Sequence, residues 1–324
     1  MKHILGVDLA KDKLDCCLLS EGAPPAAGVF ANGPQGFKKL LAWLKERGAD
    51  PAHLLACLEA TGHYGEKLLG WLFERGAAVS KVNPAQIKYF ALSRLARNKT
   101  DRVDARIIAE FCRAHGPRRW SPPPPELARL QALTRLLGAR KEQLAGERRR
   151  AAMVAACVRA PARALLRFLE RDVARLQKQI DALIEGCPEL KARRELLCSI
   201  PAVGPMTAQT VLAELPPEIK SARAAAAYAG LTPRREQSGQ KEGRSRLSKT
   251  GNAHLRRAFY MPAVSGRSSN PRLKALAARL ALEKATGAVI GACMHLLLRL
   301  CVGVLSSGKP FDPHWQERAR EPRT

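Results

Sequence analysis

Apolar residues gather in short β-like runs through the first third of the chain and in a three-and-four rhythm through the rest. Residues 4–8, 13–19, 54–59 and 77–82 are such runs, the last ending at Asn83-Pro84, and their length and bounding turn residues predict strands. Between them, amphipathic stretches at 35–47 and 66–76 predict helices, and a long helix is predicted to begin near Thr100. Strands alternating with helices predict an α/β domain over residues 1–120.

Prolines 122–125 break this order and predict a stiff connector. Beyond it, Leu166, Leu169, Val173, Leu176, Ile180 and Leu183 recur at three and four, the seam of a coiled coil. An earlier helix carries Leu130, Leu133, Leu137 and Leu144, and Pro161 is the predicted bend between the two. Residues 121–190 therefore read as linker and helical hairpin: either an amphipathic pair packed on its own domain, or an arm for dimerisation or RNA binding. Residues 191–308 predict a further, mainly α domain. Its Pro201-Ala-Val-Gly204 turn between apolar helical stretches resembles a helix-hairpin-helix, whose backbone N–H groups face a DNA phosphate. Such turns also join helices that never touch DNA. A short helix near 221–229 closes on Gly230, and a polar, glycine-rich segment follows over 231–252. Residues 309–324 read as a charged tail without an assignable task.

Charge sharpens the picture. The chain has 55 Lys and Arg against 29 Asp and Glu, a net +26, which makes a polyanion the expected partner. Residues 191–324 hold 23 basic and 9 acidic side chains, more than half of the excess. The basic residues do not gather on one amphipathic helix, which disfavours a membrane surface. The most apolar late stretch, 287–304, is interrupted by His295 and Arg299, so no membrane span is expected. The acidic Asp8 comes too early for a signal peptide, and a cytoplasmic location is expected. Nine scattered cysteines with no Cys-x-x-Cys pair indicate neither a disulfide framework nor a zinc ribbon.

Against this basic background four acidic residues are candidates for chemistry. Asp8 and Glu59 each end an apolar strand-like run, and Asp101 and Asp104 are one turn apart at a predicted helix start. Carboxylates from three segments could bind one or two hard divalent cations that stabilise the attacking and leaving oxygens of a phosphodiester. Each alone is more often structural, and Asp101 also suits a first helical turn. Residues 234–257 contain eight Lys and Arg. The candidate phosphate contacts there are Arg234, Arg235, Lys241, Arg244, Arg246, Lys249, Arg256 and Arg257, with Lys11 beside Asp8 in the first domain. Ser238, Ser245 and Ser248 lie among them and read, on physics alone, as hydrogen-bonding loop residues, with Ser248 also able to cap a helix.

Five motifs occur in order: Gly6-Val-Asp8-Leu-Ala-Lys11, Leu58-Glu59-Ala-Thr-Gly62-His-Tyr64, Asn98-Lys-Thr-Asp101-Arg-Val-Asp104-Ala-Arg106, Ile200-Pro-Ala-Val-Gly204, and Gln237-Ser238-Gly239 through Gly251-Asn252. Together they resemble the DEDD-type serine transposases of insertion sequences, described as bridge-RNA-guided recombinases. The resemblance implies a RuvC-like, RNase H-type N-terminal domain with Asp8, Glu59, Asp101 and Asp104 as ligands of Mg²⁺, Mn²⁺ being equally suited to oxygen ligands. It further implies a coiled-coil insertion, a transposase domain with Ser238 as nucleophile, a homo-oligomer with composite sites, and a noncoding RNA that pairs with target and donor DNA. Two rivals stand beside it: a RuvC-like nuclease that cuts branched DNA with water as nucleophile, and a noncatalytic nucleic-acid binder.

Overall fold

The apolar runs of the first region are strands with both faces covered, which is why they are continuous rather than alternating. In the computed structural model, residues 2–59, 64–94, 101–234, 237–238, 241–242 and 246–314 are described, with the backbone alone at 101–102, 237–238 and 241–242. The chain divides into two compact units, residues 1–122 and 123–324. The first contains β1 (His3–Leu9), β2 (Lys13–Ser20), β3 (Ala26–Ala31), α1 (Pro34–Lys45), β4 (Leu54–Glu59), α2 (Glu66–Phe73), β5 (Ala78–Val82), α3 (Pro84–Ser93) and α4 (Asp101–His115).

Its sheet has the order β3-β2-β1-β4-β5; β1, β2 and β3 pair antiparallel, and β4 and β5 run parallel to β1. Successive residues of β1 point to opposite faces. Leu5 and Val7 pack with Phe37, Leu40 and Leu44 of α1 and Leu68, Leu69 and Leu72 of α2. Ile4, on the other face, meets Ala105 and Ala109 of α4. Two elements were not expected. β3 is an edge strand of small residues with alternate positions exposed, and α3 begins where Asn83-Pro84 read only as a strand stop. The Asn83 carboxamide accepts from Ala85 N at 2.9 Å and Pro84 occupies the first helical position, a helix start in full.

The second unit opens with α5 (Pro125–Ala151) and α6 (Arg159–Glu185), packed as a helical hairpin. Residues 152–158 make the bend, not Pro161. Pro161 sits in the first turn of α6, where its missing N–H leaves no hydrogen bond unmade. Then come α7 (Pro188–Cys198), α8 (Pro205–Glu214) and α9 (Ala222–Ala229), the short strands β6 (Pro233–Arg234), β7 (Gln237–Ser238), β8 (Lys241–Glu242) and β9 (Arg246–Leu247), and α10 (Ala253–Ala258), α11 (Tyr260–Ser269), α12 (Pro271–Ala281) and α13 (Thr286–Ser307).

One core runs through this unit: Leu130 and Leu137 of α5 and Leu176, Ile180 and Ile184 of α6 join Leu197, Val211, Phe259, Leu297 and Cys301 of the later helices. α13 is long and apolar enough to cross a membrane, but half of that stretch is buried inside the unit, where it packs on α7, α9, α11 and α12. It is the central core helix.

Candidate functional site

Strand register places the first two carboxylates. Gly6 pairs with Cys57 and Val7 with Leu58 across the parallel β1–β4 ladder, so Asp8 and Glu59 follow at the same end of adjacent strands. Alternation puts both on the face of Gly6. That face carries α4 at a distance only glycine permits: a Cβ on Gly6 would lie 2.2 Å from Ala105 O and 2.4 Å from Ala109 N. Ala105, Ile108, Ala109 and Cys112 form the buried stripe of α4, Asp104 continues it toward the helix start, and Asp101 is the first residue of the helix. The strand ends and the start of α4 thus bring three carboxylate-bearing segments to one edge of one sheet. Asp8 Oδ1 accepts from Leu9 N at 3.1 Å. The side chain of Asp101 lies outside the described residues, and among those described no three His, Cys, Asp or Glu side chains close into a metal-holding group.

A further carboxylate went unread in the sequence. Asp15 of β2 is the antiparallel partner of Asp8, and directly opposed residues share a face. It is buried and ion-paired with Lys13 at 3.0 Å. Its only signal was an acidic residue inside an otherwise apolar run. Deeper on this face the Cys57 thiol is pushed up by its hydrogen bond with Cys112 and by burial, so it is held protonated.

The second unit carries Ser238. β7 pairs with β8 through Gln237↔Glu242 and Ser238↔Lys241, and outside them β6 pairs with β9 through Pro233↔Leu247 and Arg234↔Arg246. Two arginines, Arg234 and Arg246, stand opposite each other across the β6–β9 ribbon. Arg235 and Arg244 lie outside the described residues, as do the side chains of Ser238 and Lys241. Lys11 is exposed in the β1–β2 turn and Lys249 is exposed after β9. Two of the expected phosphate contacts are engaged within the protein. Arg256 donates to Ala229 O at 2.9 Å, at the end of α9, and Arg257 pairs with Glu142 of α5.

The loop that holds these strands returns onto α9. Gly251 (φ 141°) stands so close that a Cβ would meet Tyr228 O at 2.3 Å, and the next residue donates Asn252 N to the same carbonyl at 2.7 Å. The Asn252 side chain caps α10 by accepting from Leu255 N at 2.9 Å, and it donates to Glu214 Oε2 at 2.7 Å. Glu214, buried, also takes a bidentate pair from Arg135 of α5 at 2.7 and 2.9 Å. At the turn between α7 and α8, Ala202 has a φ of 77°, and buried Asn270 donates to Pro201 O at 3.0 Å.

Two family models match this chain in order: a DEDD transposase model over residues 5–157, described as "Transposase", and the "Transposase IS116/IS110/IS902 family" over residues 194–278. The pilin gene-inverting protein of Moraxella bovis is 32% identical over 323 residues, covering 98% of this chain and 99% of that protein, and its Moraxella lacunata counterpart matches equally. Among solved structures, Thermus thermophilus RuvC aligns with 36% of this chain and 99% of its own at 16% identity and a TM-score of 0.28. With both models matched in sequence order and relatives aligned from end to end, the chain belongs to the IS116/IS110/IS902 family of transposases.

Proposed function

We propose that this transposase cuts and rejoins DNA through a covalent phosphoserine at Ser238, assisted by a divalent cation held at the β1, β4 and α4 edge. The observation that carries the reading is the register that sets Asp8 beside Glu59 on the face covered by the start of α4. Asp8, Glu59, Asp101 and Asp104 are the cation's ligands in this reading, and the all-oxygen donor set suits hard Mg²⁺ or Mn²⁺. Bound there, the cation would supply Lewis-acid polarisation of the scissile phosphate.

The rest falls to the chain's own groups. Ser238 Oγ attacks phosphorus, the Oγ–P bond forms and the P–O bond to the deoxyribose breaks, and the proton lost from the serine is matched by the one taken up at the leaving hydroxyl. The phosphoserine link keeps the ester's energy for rejoining. Gene inversion, for which the Moraxella relatives are named, requires such rejoining to a new partner, which hydrolysis does not provide. The exposed cations Lys11, Arg234, Arg246 and Lys249 contact phosphates. A noncoding RNA paired with both DNAs sets the site, leaving the protein mainly backbone contacts, which accords with a net charge of +26. Carboxylates and Ser238 belong to different units of the chain, and the transposase acts as a homo-oligomer.

The test is incubation with element-end DNA, its noncoding RNA and Mg²⁺, followed by denaturing electrophoresis and mass spectrometry. An adduct on Ser238 that is lost in EDTA and in Asp8→Ala is expected. Cleaved DNA without an adduct, with Ser238→Ala cutting at the normal rate, would assign hydrolysis instead.

A further inference from the structure

A cleft of about 1540 Å³ opens in the second unit between the β6–β9 ribbon, α12 and the first half of α13. Its floor is apolar: Leu276 and Leu280 of α12 face Ala288 and Gly291 of α13, and Leu247 of β9 closes one side, 3.3 Å from where a Cβ on Gly291 would stand. Its rim is cationic, with Arg246, Lys249, Arg272, Arg279, Lys284 and Arg299 against the single acidic residue Glu283. Among the described residues none of these six cations has a carboxylate within ion-pair distance. Elsewhere in the same unit arginines are paired repeatedly, as at Arg135–Glu214, Arg140–Asp172 and Arg148–Glu170.

Two features make this arrangement unfavourable when empty. Arg272 lies in the first turn of α12, where the helix dipole favours an anion. It also stands near enough to Arg299 that this like charge, after burial, holds the Arg272 guanidinium below its usual pKa; burial and the same Arg299 lower His295. A concave site that gathers six cations against one carboxylate, with Arg272 half-buried among them, is built for an external anion. Its volume exceeds that of ordinary small-molecule pockets, which favours a stretch of polymer. Among the described residues its lining includes no Phe, Tyr or Trp, so what it chiefly offers a strand is positive charge.

We infer that the α12–α13 cleft binds a sugar-phosphate backbone of nucleic acid without regard to base, through Arg272, Arg279 and Arg299 in addition to Arg246 and Lys249. The proposal extends the nucleic-acid surface from the Ser238 loop to two helices outside it. It does not depend on the serine chemistry.

The experiment is a salt titration of binding, read by fluorescence anisotropy in EDTA so that cleavage plays no part. The full chain and an Arg272→Gln/Arg299→Gln variant are compared on duplex DNA and on single-stranded RNA. If each arginine meets one phosphate, the variant's log–log salt slope on duplex DNA flattens by about 1.8, and its affinity at about 0.1 M salt falls roughly 60-fold. Its melting temperature stays level or rises, because two like charges have been separated, so misfolding does not explain the loss. Glu283→Gln, which adds no contact but removes the opposing charge, tightens binding. A changed slope on DNA alone assigns the strand to DNA, and on RNA alone to RNA; either supports the cleft. Unchanged slope and affinity on both polymers would overturn it, as would a variant that keeps nucleic-acid binding and loses retention of an acidic peptide. Neither result touches the adduct expected at Ser238.

Discussion

Glu214 offers the sharpest test of how the Ser238 loop is held. Its carboxylate has no exposed surface and accepts three hydrogen bonds, two from Arg135 and one from Asn252. Glu214→Leu removes the acceptor and leaves a guanidinium and a carboxamide facing each other in the core. Breaking one side of a buried pair costs about 3–5 kcal/mol, and the Arg135 side chain, 31% exposed, can regain some water, so about 3 kcal/mol is expected. For a unit of this size that lowers the melting temperature by roughly 6–12 °C. The assay is thermal and urea unfolding of Glu214→Leu, Arg135→Met and the double variant. The double should be more stable than Glu214→Leu alone, since two apolar side chains of matching bulk leave no orphan charge. Single costs below about 1 kcal/mol that simply add would show a pair behaving like a surface ion pair, and would refute the view that it anchors the loop.

Other outcomes follow from single contacts. Gly6→Ala drives a Cβ into the α4 backbone and should destabilise the first unit by about 3 kcal/mol, at the upper end of overpacking, seen as an early unfolding transition. The Asp172 carboxyl is held below its usual range by its hydrogen bond to Arg175 and then by that to Arg140. Its contribution is therefore complete above the unfolded value of about 3.9 and lost as pH falls through the lower folded value, so Asp172→Asn should flatten the acid limb of the stability profile. Alkylation should reach exposed Cys157 first and spare Cys16, pushed up by burial, and Cys57, pushed up by its hydrogen bond to Cys112 and by burial, as peptide mapping would show.

How much of this could be read in the chain depends on what each element is made of. β1, β2, β4 and β5 were legible because helices on both faces demand mostly apolar runs. β3 was not, since Ala26–Ala31 packs on one side only and four of its six residues are Ala or Gly. Of the expected seam, Leu169, Leu176 and Ile180 are buried, but so are Ile184 and Asp172, the latter by virtue of Arg140 and Arg175, which no heptad count reveals. Asp8 and Glu59 could be named from their strand ends, whereas Asp15 owes its place to register across β2. The α12–α13 cleft was invisible: Arg246, Arg272 and Arg299 are far apart in sequence, and concavity belongs to the packing of helices.

The Gly251-Asn252 step shows where motif and mechanism meet. As sequence it is only a turn signal after a basic loop. In the fold Gly251 is required by backbone contact with α9, and Asn252 performs three tasks at once: its N–H holds Tyr228 O, its Oδ1 starts α10, and its Nδ2 reads Glu214. The other end of the loop is fastened by Lys249 N to Gly230 O at 3.1 Å and Ser248 N to Thr232 O at 2.9 Å. A segment whose two ends are hydrogen-bonded to each other, and whose Asn252 is tied to a buried ion pair, can carry strongly basic residues between them without losing its frame, the usual division between a rigid scaffold and the loop it carries. Substitutions at Glu214, Arg135 or Asn252 should accordingly slow strand joining through loop position, while leaving the salt slope of DNA binding as it was.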